Sequence, residues 1–188
     1  AMAETPKYAS YDVVIVGGAI YGSSVAWWLT QMPGFQGRVL VIERDPTYEN
    51  AATSHTNSCI RQQFSNEINV RISQFGAEFI HNFRSFMGDH PDVPQLTLQS
   101  YGYMYLADTD AFAQTLRENQ RTQAQLGAAT RFMTADEIAA EYPFYQLDDI
   151  IGANHNLVNE GYFDGGTMFD WFRRMARRNG VEYLTGEV

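Results

Sequence analysis

Three glycines and one acid near the start of the chain have the spacing of a phosphate-binding turn. Gly17, Gly18 and Gly22 follow the apolar run Val13–Val16, and Glu43 ends a second apolar run. Gly17 permits a sharp turn, and Gly22 lets the next helix pack closely, so that its first N–H groups can receive a pyrophosphate. The Glu43 carboxylate can accept hydrogen bonds from both hydroxyls of an adenosine ribose. The pattern predicts a dinucleotide site and leaves FAD and NAD open.

Ala19 departs from the usual form of this turn, in which a glycine occupies the third place of G-x-G-x-x-G. Its methyl group stands where the backbone should approach a phosphate. The turn nevertheless follows a predicted strand, opens a predicted helix and has the acid in place. We therefore interpret the segment as a dinucleotide site rather than as an ordinary βαβ crossover.

These residues depend on a βαβ unit, and the chain after it indicates a strand-rich segment followed by a return to helix and strand. Apolar spacing, capping residues and Gly or Pro breakers give the boundaries. The first predicted elements are strands at 13–16 and 38–43 around a helix at 20–32, followed by a loop at 45–57 and a helix at 68–87. The middle of the chain is predicted to contain a strand at 96–106, a helix at 110–126, a strand at 131–133, a short helix after a capping box at 134–137, and strands at 150–156 and 158–163. The last elements are a helix from 165 that ends before 180 and a strand at 181–188. An inserted, mainly antiparallel segment between two parts of a nucleotide-binding domain fits this order.

The composition argues against several kinds of partner. The net charge is −9 and no basic stripe is visible, so we expect no nucleic-acid partner. Four clustered arginines are interpreted as a solvated helix face, namely Arg173, Arg174, Arg177 and Arg178. Cys59 is the only cysteine, so the chain can form no internal disulfide and suits a reducing compartment such as the cytoplasm. No apolar run approaches the roughly 20 residues of a membrane span, and the histidines are too scattered to indicate a metal site.

Two further segments give the chain a family resemblance. Residues 53–65 read Thr-Ser-His-Thr-Asn-Ser-Cys-Ile-Arg-Gln-Gln-Phe-Ser, and residues 159–166 read Asn-Glu-Gly-Tyr-Phe-Asp-Gly-Gly before a helix and the final strand. With the unit at 17–43, they make the chain resemble the D-amino-acid oxidase superfamily of FAD oxidoreductases. In particular it resembles the branch of sarcosine oxidase, dimethylglycine dehydrogenase and FAD-dependent-oxidoreductase-domain proteins. The resemblance implies FAD as the cofactor. It also implies an α/β fold in which a Rossmann-like FAD-binding domain is interleaved with an α+β, mainly antiparallel substrate domain.

The resemblance also implies domain limits and site residues. Residues 1–90 would form the first part of the FAD-binding domain, 91–163 a segment of the substrate domain, and 164–188 the return to the FAD-binding domain. The residues expected to cradle the pyrophosphate are Gly17, Gly18, Ala19, Ile20 and Gly22. Glu43, with Arg44 beside it, would bind the adenosine ribose, and Val188 would meet the adenine. The residues expected to line the isoalloxazine are Thr53, Ser54, Ser58, Cys59 and Ile60. Arg61 would hold a substrate carboxylate, to which its guanidinium fork is suited.

Other roles remain open for several side chains. Arg61 could instead bridge loop carbonyl groups. His55 could attach a flavin covalently, although a solvated loop histidine is the simpler reading. The tyrosines at 101, 103 and 105 could gate an amine pocket or pack on the strand with their hydroxyl groups at the surface. Glu160 is expected to be structural and to frame the crossover back to the nucleotide domain.

The predicted function is the oxidation of a small secondary or tertiary amine that bears a carboxylate, such as an N-methyl amino acid, by hydride transfer to flavin N5. One alternative is a flavin-binding assembly or interaction protein without turnover, and another is an NAD-dependent dehydrogenase.

The final segment reads as a core strand, whereas domains usually end in exposed segments. We therefore expect this chain to be the N-terminal part of a longer protein. Its missing C-terminal half would complete the flavin site, in the same polypeptide or as a second chain.

Overall fold

The computed structural model describes residues 4–188, and their secondary structure follows the predicted order. The strands are β1 (Val13–Val16), β2 (Val39–Glu43), β3 (Cys59–Ile60), β4 (Tyr103–Ala107), β5 (Arg131–Thr134), β6 (Gly152–Asn156), β7 (Gly161–Tyr162) and β8 (Glu182–Thr185). The α-helices are α1 (Ile20–Gln31), α2 (Glu67–His81), α3 (Phe83–Phe86), α4 (Asp110–Gln125), α5 (Ala135–Glu141) and α6 (Gly165–Arg178), and a 3₁₀ helix spans Ala52–His55. The chain divides into two compact units, of which the first contains the residues up to 58 and 164–188, and the second contains 59–163.

The first unit is built on a parallel three-stranded sheet. β2 lies between β1 and β8, with Leu40 opposite Val14 and Tyr183 opposite Val41. The β-branched side chains of β2 suit a sheet that is buried, and Val41 is fully buried. The predicted βαβ unit and the return of the C-terminal segment to it are thus both present. The combination of this parallel sheet with antiparallel strands elsewhere confirms the predicted mixed α/β fold class.

Aromatic side chains join the two helices of the first unit. The Trp27 ring of α1 lies 5.6 Å from the Phe172 ring of α6, measured between centroids. The Asp164 side chain caps α6 by accepting from the Thr167 N–H at 3.0 Å. Of the four arginines predicted to form a solvated face, Arg173 departs from the prediction, since it is half-buried with its guanidinium 5.2 Å from the ring centroid of Tyr48. An arginine can bury its carbon stem and stack its planar head on an aromatic face.

The second unit contains an antiparallel sheet in the order β4-β6-β5. Ile138 of α5 is fully buried beside Met133 and Ala153 of this sheet. The predicted capping box is present, because Thr134 accepts from the Glu137 N–H and the Glu137 carboxylate accepts from the Thr134 N–H. Thr109 caps α4 in the same way, by accepting from the Phe112 N–H.

Several predicted strands are shorter than the sequence pattern indicates, among them the last, which is predicted at 181–188 and spans Glu182–Thr185. The strand predicted at 96–106 begins only at Tyr103, because Gly102 has a φ of +85° and interrupts the extended backbone. The strand predicted at 158–163 is reduced to β7, because Asn159 has a φ of +57°. The loop predicted at 45–57 contains the 3₁₀ helix Ala52–His55. A pattern of alternating side chains carries no information about positive φ values, so it cannot predict these interruptions of the strands.

The division after residue 58 lies earlier in the chain than the domain limit predicted at residue 90. β3 pairs with β7 in antiparallel fashion, and α2 contacts β3 and α4, so these elements pack within the second unit. The compact units also divide after residue 163, and the predicted limits of the FAD-binding and substrate domains stay predictions.

The helix predicted at 68–87 is divided and only partly buried. Asn82 separates α2 from α3, and Phe79 and Ile80 are buried. Ile68 and Ile72, on the same helix, expose 63% and 60% of their surface.

None of the helices between residues 4 and 188 combines the length and apolar character that crossing a bilayer requires.

We expect Ile138→Ala to lower the free energy of unfolding by about 2–5 kcal/mol, because it removes a fully buried side chain and leaves a cavity. Ile68→Ala makes the same chemical change at an exposed position of the same unit, so we expect an effect within about 0.5 kcal/mol. Urea denaturation followed by circular dichroism measures both. Equal effects of the two substitutions would contradict the described core.

Candidate functional site

The glycine turn after β1 is held together by a contact that only glycine allows. Gly17 has a φ of +96°, and a Cβ atom placed on Gly22 would lie 1.8 Å from the Gly17 carbonyl oxygen. A Cβ on Gly18 would lie 3.1 Å from Val41 and 3.2 Å from the Tyr48 hydroxyl. The turn therefore brings the first residues of α1 against the end of β1, as the sequence predicts.

The start of α1 presents backbone donors in a setting suited to an anion. Ala19 is the N-cap residue, so its methyl side chain offers the helix no acceptor, and the first turn contains no acidic residue. The Ile20 N–H donates to Thr53 Oγ1 at 3.2 Å, which brings the 3₁₀ helix next to the start of α1. An uncapped helix N-terminus with its positive dipole end attracts phosphate groups.

A buried relay of hydroxyl groups stabilises the turn from within the first unit. The Ser23 hydroxyl donates to the Gly18 carbonyl at 2.6 Å, and the Tyr183 hydroxyl donates to Ser23 at 2.8 Å. Burial raises the pKa of Tyr183, so its hydroxyl stays protonated and keeps donating. β8 is thereby linked to the turn at the end of β1.

A cavity of about 390 Å³ opens beside the turn within the first unit. Its lining includes Gly17, Ala19, Glu43, Arg44 and Val188, which are five of the residues predicted to bind the cofactor. The lining also contains Tyr48, which the sequence analysis missed. Tyr48 is buried despite its place in a polar loop, and its φ of +58° is unusual for an aromatic residue. An isolated aromatic side chain in an otherwise polar loop was the available signal.

Glu43 lies in this cavity with both of its carboxylate oxygens engaged. Oε2 accepts from the Gly18 N–H at 2.8 Å, and Oε1 accepts from the Asp45 N–H at 2.9 Å. An ionised carboxylate has about four acceptor positions, so each oxygen can still accept from a ribose hydroxyl. Glu43 can therefore fix the glycine turn and bind a ribose at the same time.

The residues predicted to line the isoalloxazine are divided between the two units. In the first unit, Thr53 contacts the start of α1, the Ser54 hydroxyl donates to the Tyr48 carbonyl at 2.6 Å, and Ser58 adopts a φ of +50°. In the second unit, Cys59 and Ile60 form β3, and Cys59 is exposed. Their role toward the flavin stays a prediction.

Arg61 follows β3 in the second unit and lies among three aromatic rings. Its guanidinium carbon is 5.2 Å from the ring centroid of Phe64 and 5.8 Å from those of Tyr103 and Tyr105. Its Nε atom is buried without a hydrogen-bond partner. Among the ion pairs of residues 4–188, none includes Arg61. A cation beside aromatic faces, with hydrogen-bonding capacity left over, is suited to binding an external anion.

Tyr103 keeps its proton in these surroundings. Burial and a hydrogen bond with Cys59 raise the pKa of Tyr103 to about 12, although Arg61 opposes the shift. Tyr103 and Tyr105 stack on each other with centroids 6.5 Å apart. Tyr101, the third tyrosine of the predicted gate, is 73% exposed. The structure thus brings two of the three tyrosines to Arg61.

Glu160 is the one acid that the structure buries completely near Arg61. Its side chain is fully buried and interacts electrostatically with Arg61. Burial raises the pKa of Glu160, while donors on Gln63, Gln62 and Asn156 and the charge of Arg61 oppose that shift. The sequence analysis gave this residue only a framing role.

Within residues 4–188, no three His, Cys, Asp or Glu side chains are arranged to hold a metal ion.

A family model described as FAD dependent oxidoreductase, or DAO, matches residues 12–188. The chain belongs to this family. The cofactor of the family is FAD, so the NAD-dependent alternative is set aside. The uncapped start of α1, the open space beside Gly17 and the carboxylate of Glu43 fit the diphosphate and ribose of that cofactor.

Relatives in other organisms match nearly the whole of this chain. FAD-dependent oxidoreductase domain-containing protein 1 from Xenopus laevis is 38% identical over 180 residues, which are 94% of this chain and 36% of that protein. The homolog from Drosophila melanogaster is 33% identical over 177 residues, with 94% of this chain and 34% of that protein covered. The chain thus spans about a third of the length of these relatives.

Solved structures show the same fold. L-proline dehydrogenase from P. horikoshii matches with a TM-score of 0.72 at 25% identity, over 92% of this chain and 43% of that chain. Glycine oxidase from Geobacillus kaustophilus matches with a TM-score of 0.70 at 18% identity, over 93% of this chain and 46% of that chain.

We expect Gly22→Ala to weaken FAD binding about a hundredfold, because the added methyl group collides with the Gly17 carbonyl and overpacking costs about 1–3 kcal/mol or more. Gly166→Ala is the matched control, since a Cβ there lies 3.5 Å from its nearest neighbour, Asp164, and the φ of Gly166 is not positive. Titration of the apoprotein with FAD, followed by flavin fluorescence, measures both. Unchanged FAD affinity of Gly22→Ala would contradict the assignment of the turn.

Proposed function

We propose that this chain is part of an FAD-dependent oxidoreductase. The enzyme would oxidise the C–N bond of a small amine that bears a carboxylate, such as an N-methyl amino acid. The observation that carries the proposal is the position of Arg61, a guanidinium without an ion pair within residues 4–188 and beside three aromatic rings. A buried or half-buried charge normally has a partner. A substrate carboxylate is a partner of the required charge and shape.

The chemistry divides between the cofactor and the protein. FAD, when bound, supplies the flavin N5 that accepts hydride from the carbon next to the substrate nitrogen. Glu43 and the start of α1 hold the ribose and diphosphate, and Arg44, Ile20 and Val188 complete the nucleotide site. Arg61 fixes the substrate carboxylate through two parallel hydrogen bonds, which limits the orientations of the amine.

Aromatic residues lie beside the proposed carboxylate site. The rings of Phe64, Tyr103 and Tyr105 approach the half-buried guanidinium, and partial burial makes a charge–charge contact there stronger than one in bulk solvent. Tyr103, with its raised pKa, stays a hydrogen-bond donor at neutral pH. The protein thereby orients the substrate without supplying a base of its own at this position.

The known activities of structural neighbours support a carboxylate-bearing amine. L-proline dehydrogenase is the neighbour with 25% identity, and proline is a secondary amine with a carboxylate. We further propose that the protein lies near the sarcosine oxidase branch, which the sequence Ile-Arg-Gln-Gln-Phe-Ser at residues 60–65 supports. We further propose that Thr53, Ser54, Ser58, Cys59 and Ile60 contact the isoalloxazine.

We expect Arg61→Met in the FAD-loaded protein of full natural length to raise the KM for sarcosine about a hundredfold, as loss of a charge-assisted bidentate contact implies. Anaerobic bleaching of the flavin absorbance measures the reaction. Dimethylamine, which is sarcosine without its carboxylate, should reduce parent and variant equally.

Arg117→Met is the matched control, because Arg117 also lies over an aromatic ring, 3.7 Å from the centroid of Phe132. We expect it to leave the KM for sarcosine unchanged. A parent protein whose flavin is bleached by no amine or amino acid would contradict the proposal and favour a flavin-binding role without turnover.

A further inference from the structure

Glu160 is a fully buried carboxylate to which three donors point. The Gln62 N–H donates to Oε2 at 3.1 Å, and the Asn156 amide donates to the same oxygen at 2.6 Å. The Gln63 amide donates to Oε1 at 2.9 Å. Two of the three donors belong to the residues that directly follow Arg61. The carboxylate therefore holds the backbone on which Arg61 is mounted.

Gln63 extends this hold to the strand that carries the aromatic rings. Its amide nitrogen donates both to Glu160 and, at 3.0 Å, to the carbonyl group of Tyr103 in β4. Gln62 adds a second tie, because its side-chain amide donates to the Val158 carbonyl at 3.1 Å. The guanidinium of Arg61 and the rings of Tyr103 and Tyr105 are thus held in register by one network.

The backbone around Glu160 leaves this side chain little freedom. A Cβ on Gly161 would lie 1.8 Å from the Gln99 carbonyl oxygen, and Gly161 pairs with Ile60 in the β3–β7 ladder. The Glu160 carbonyl accepts from the Gly102 N–H at 2.8 Å. Asn156, which donates to Glu160, also accepts from the Val158 N–H at 2.8 Å. The segment from 156 to 161 is therefore anchored at both ends, with the carboxylate between the anchors.

We propose that Glu160 is a positioning residue that holds Arg61 in place for the substrate carboxylate. The inference rests on the proposed function of Arg61. Glu160 itself stays in its buried network, and it acts through the residues that follow Arg61. Its negative charge weakens the field of Arg61, which by itself would disfavour an anion. The hold on the Arg61 backbone outweighs this effect, because a bidentate contact depends steeply on geometry.

Glu160→Gln tests the hydrogen bonds of Glu160 separately from the volume of its side chain. Its amide oxygen can still accept from Gln62 and Asn156, but its amide nitrogen then faces the amide nitrogen of Gln63. Rotating the Gln63 amide would relieve that conflict only by turning the Gln63 oxygen toward the Tyr103 carbonyl. The variant keeps the volume and loses either the tie to Glu160 or the tie to β4.

The test uses the FAD-loaded protein of full natural length with two probes, anthranilate and aniline, which is the same ring without the carboxylate. Changes in flavin absorbance report binding. We expect Glu160→Gln to raise the Kd for anthranilate about tenfold and to leave that for aniline unchanged. Hydrogen exchange at the Gln62 amide should become faster, because the neutral amide oxygen of the variant accepts from the Gln62 N–H more weakly than the Glu160 carboxylate does. Glu78→Gln, an exposed glutamate of α2, is the control for which we expect no change in either measurement.

Faster exchange at Gln62 with unchanged anthranilate affinity would show a purely structural role and overturn the inference. Equal weakening of both probes would overturn it as well. If Glu160→Gln does not fold, Gln63→Met removes both bonds donated by Gln63, and we expect it to raise the Kd for anthranilate about tenfold as well. The proposed function fails in a different way, since the parent protein would then show no preference for anthranilate over aniline.

Discussion

The contact between Gly22 and the Gly17 carbonyl group is the constraint on which the first unit depends. With no Cβ at Gly22, α1 can begin close to the end of β1, and the N-cap residue Ala19 leaves its first turn without a side-chain cap. Glu43 accepts from Gly18, Thr53 accepts from Ile20, and Ser23 donates to Gly18, so each neighbour is attached to the turn. One methyl group at Gly22 would separate these partners. Ala19, the departure from the usual glycine pattern, is among the residues that line the cavity beside the turn.

In the second unit, the positive charge of Arg61 stays available to a ligand. Glu160 does not form an ion pair with Arg61, because its carboxylate accepts hydrogen bonds from Gln62, Gln63 and Asn156. Aromatic rings occupy the remaining space around the guanidinium. A half-buried charge binds an anion more strongly than a fully solvated arginine does, because solvent screens it less. The proposed capture of a small carboxylate rests on this arrangement.

Local patterns in the sequence were sufficient for much of this architecture. The βαβ unit, the capping box at Thr134 and the helix after Asp164 depend on residues close together in the chain, and the structure has all of them. The network of Glu160 could not be found in this way, because Gln62 and Glu160 are 98 residues apart. Tyr48 was missed because its burial depends on Phe169 of α6, far along the chain. The shortened strands had a local cause, positive φ at Gly102 and Asn159, that side-chain alternation does not reveal.

The central claim is that Arg61 recognises a carboxylate, and a crystal structure of the FAD-loaded protein of full natural length with bound anthranilate tests it most directly. The account predicts that both carboxylate oxygens lie within hydrogen-bond distance of the Arg61 guanidinium, beside the rings of Tyr103 and Tyr105. A carboxylate bound elsewhere, with the Arg61 guanidinium hydrogen-bonded to loop carbonyl groups, would contradict it.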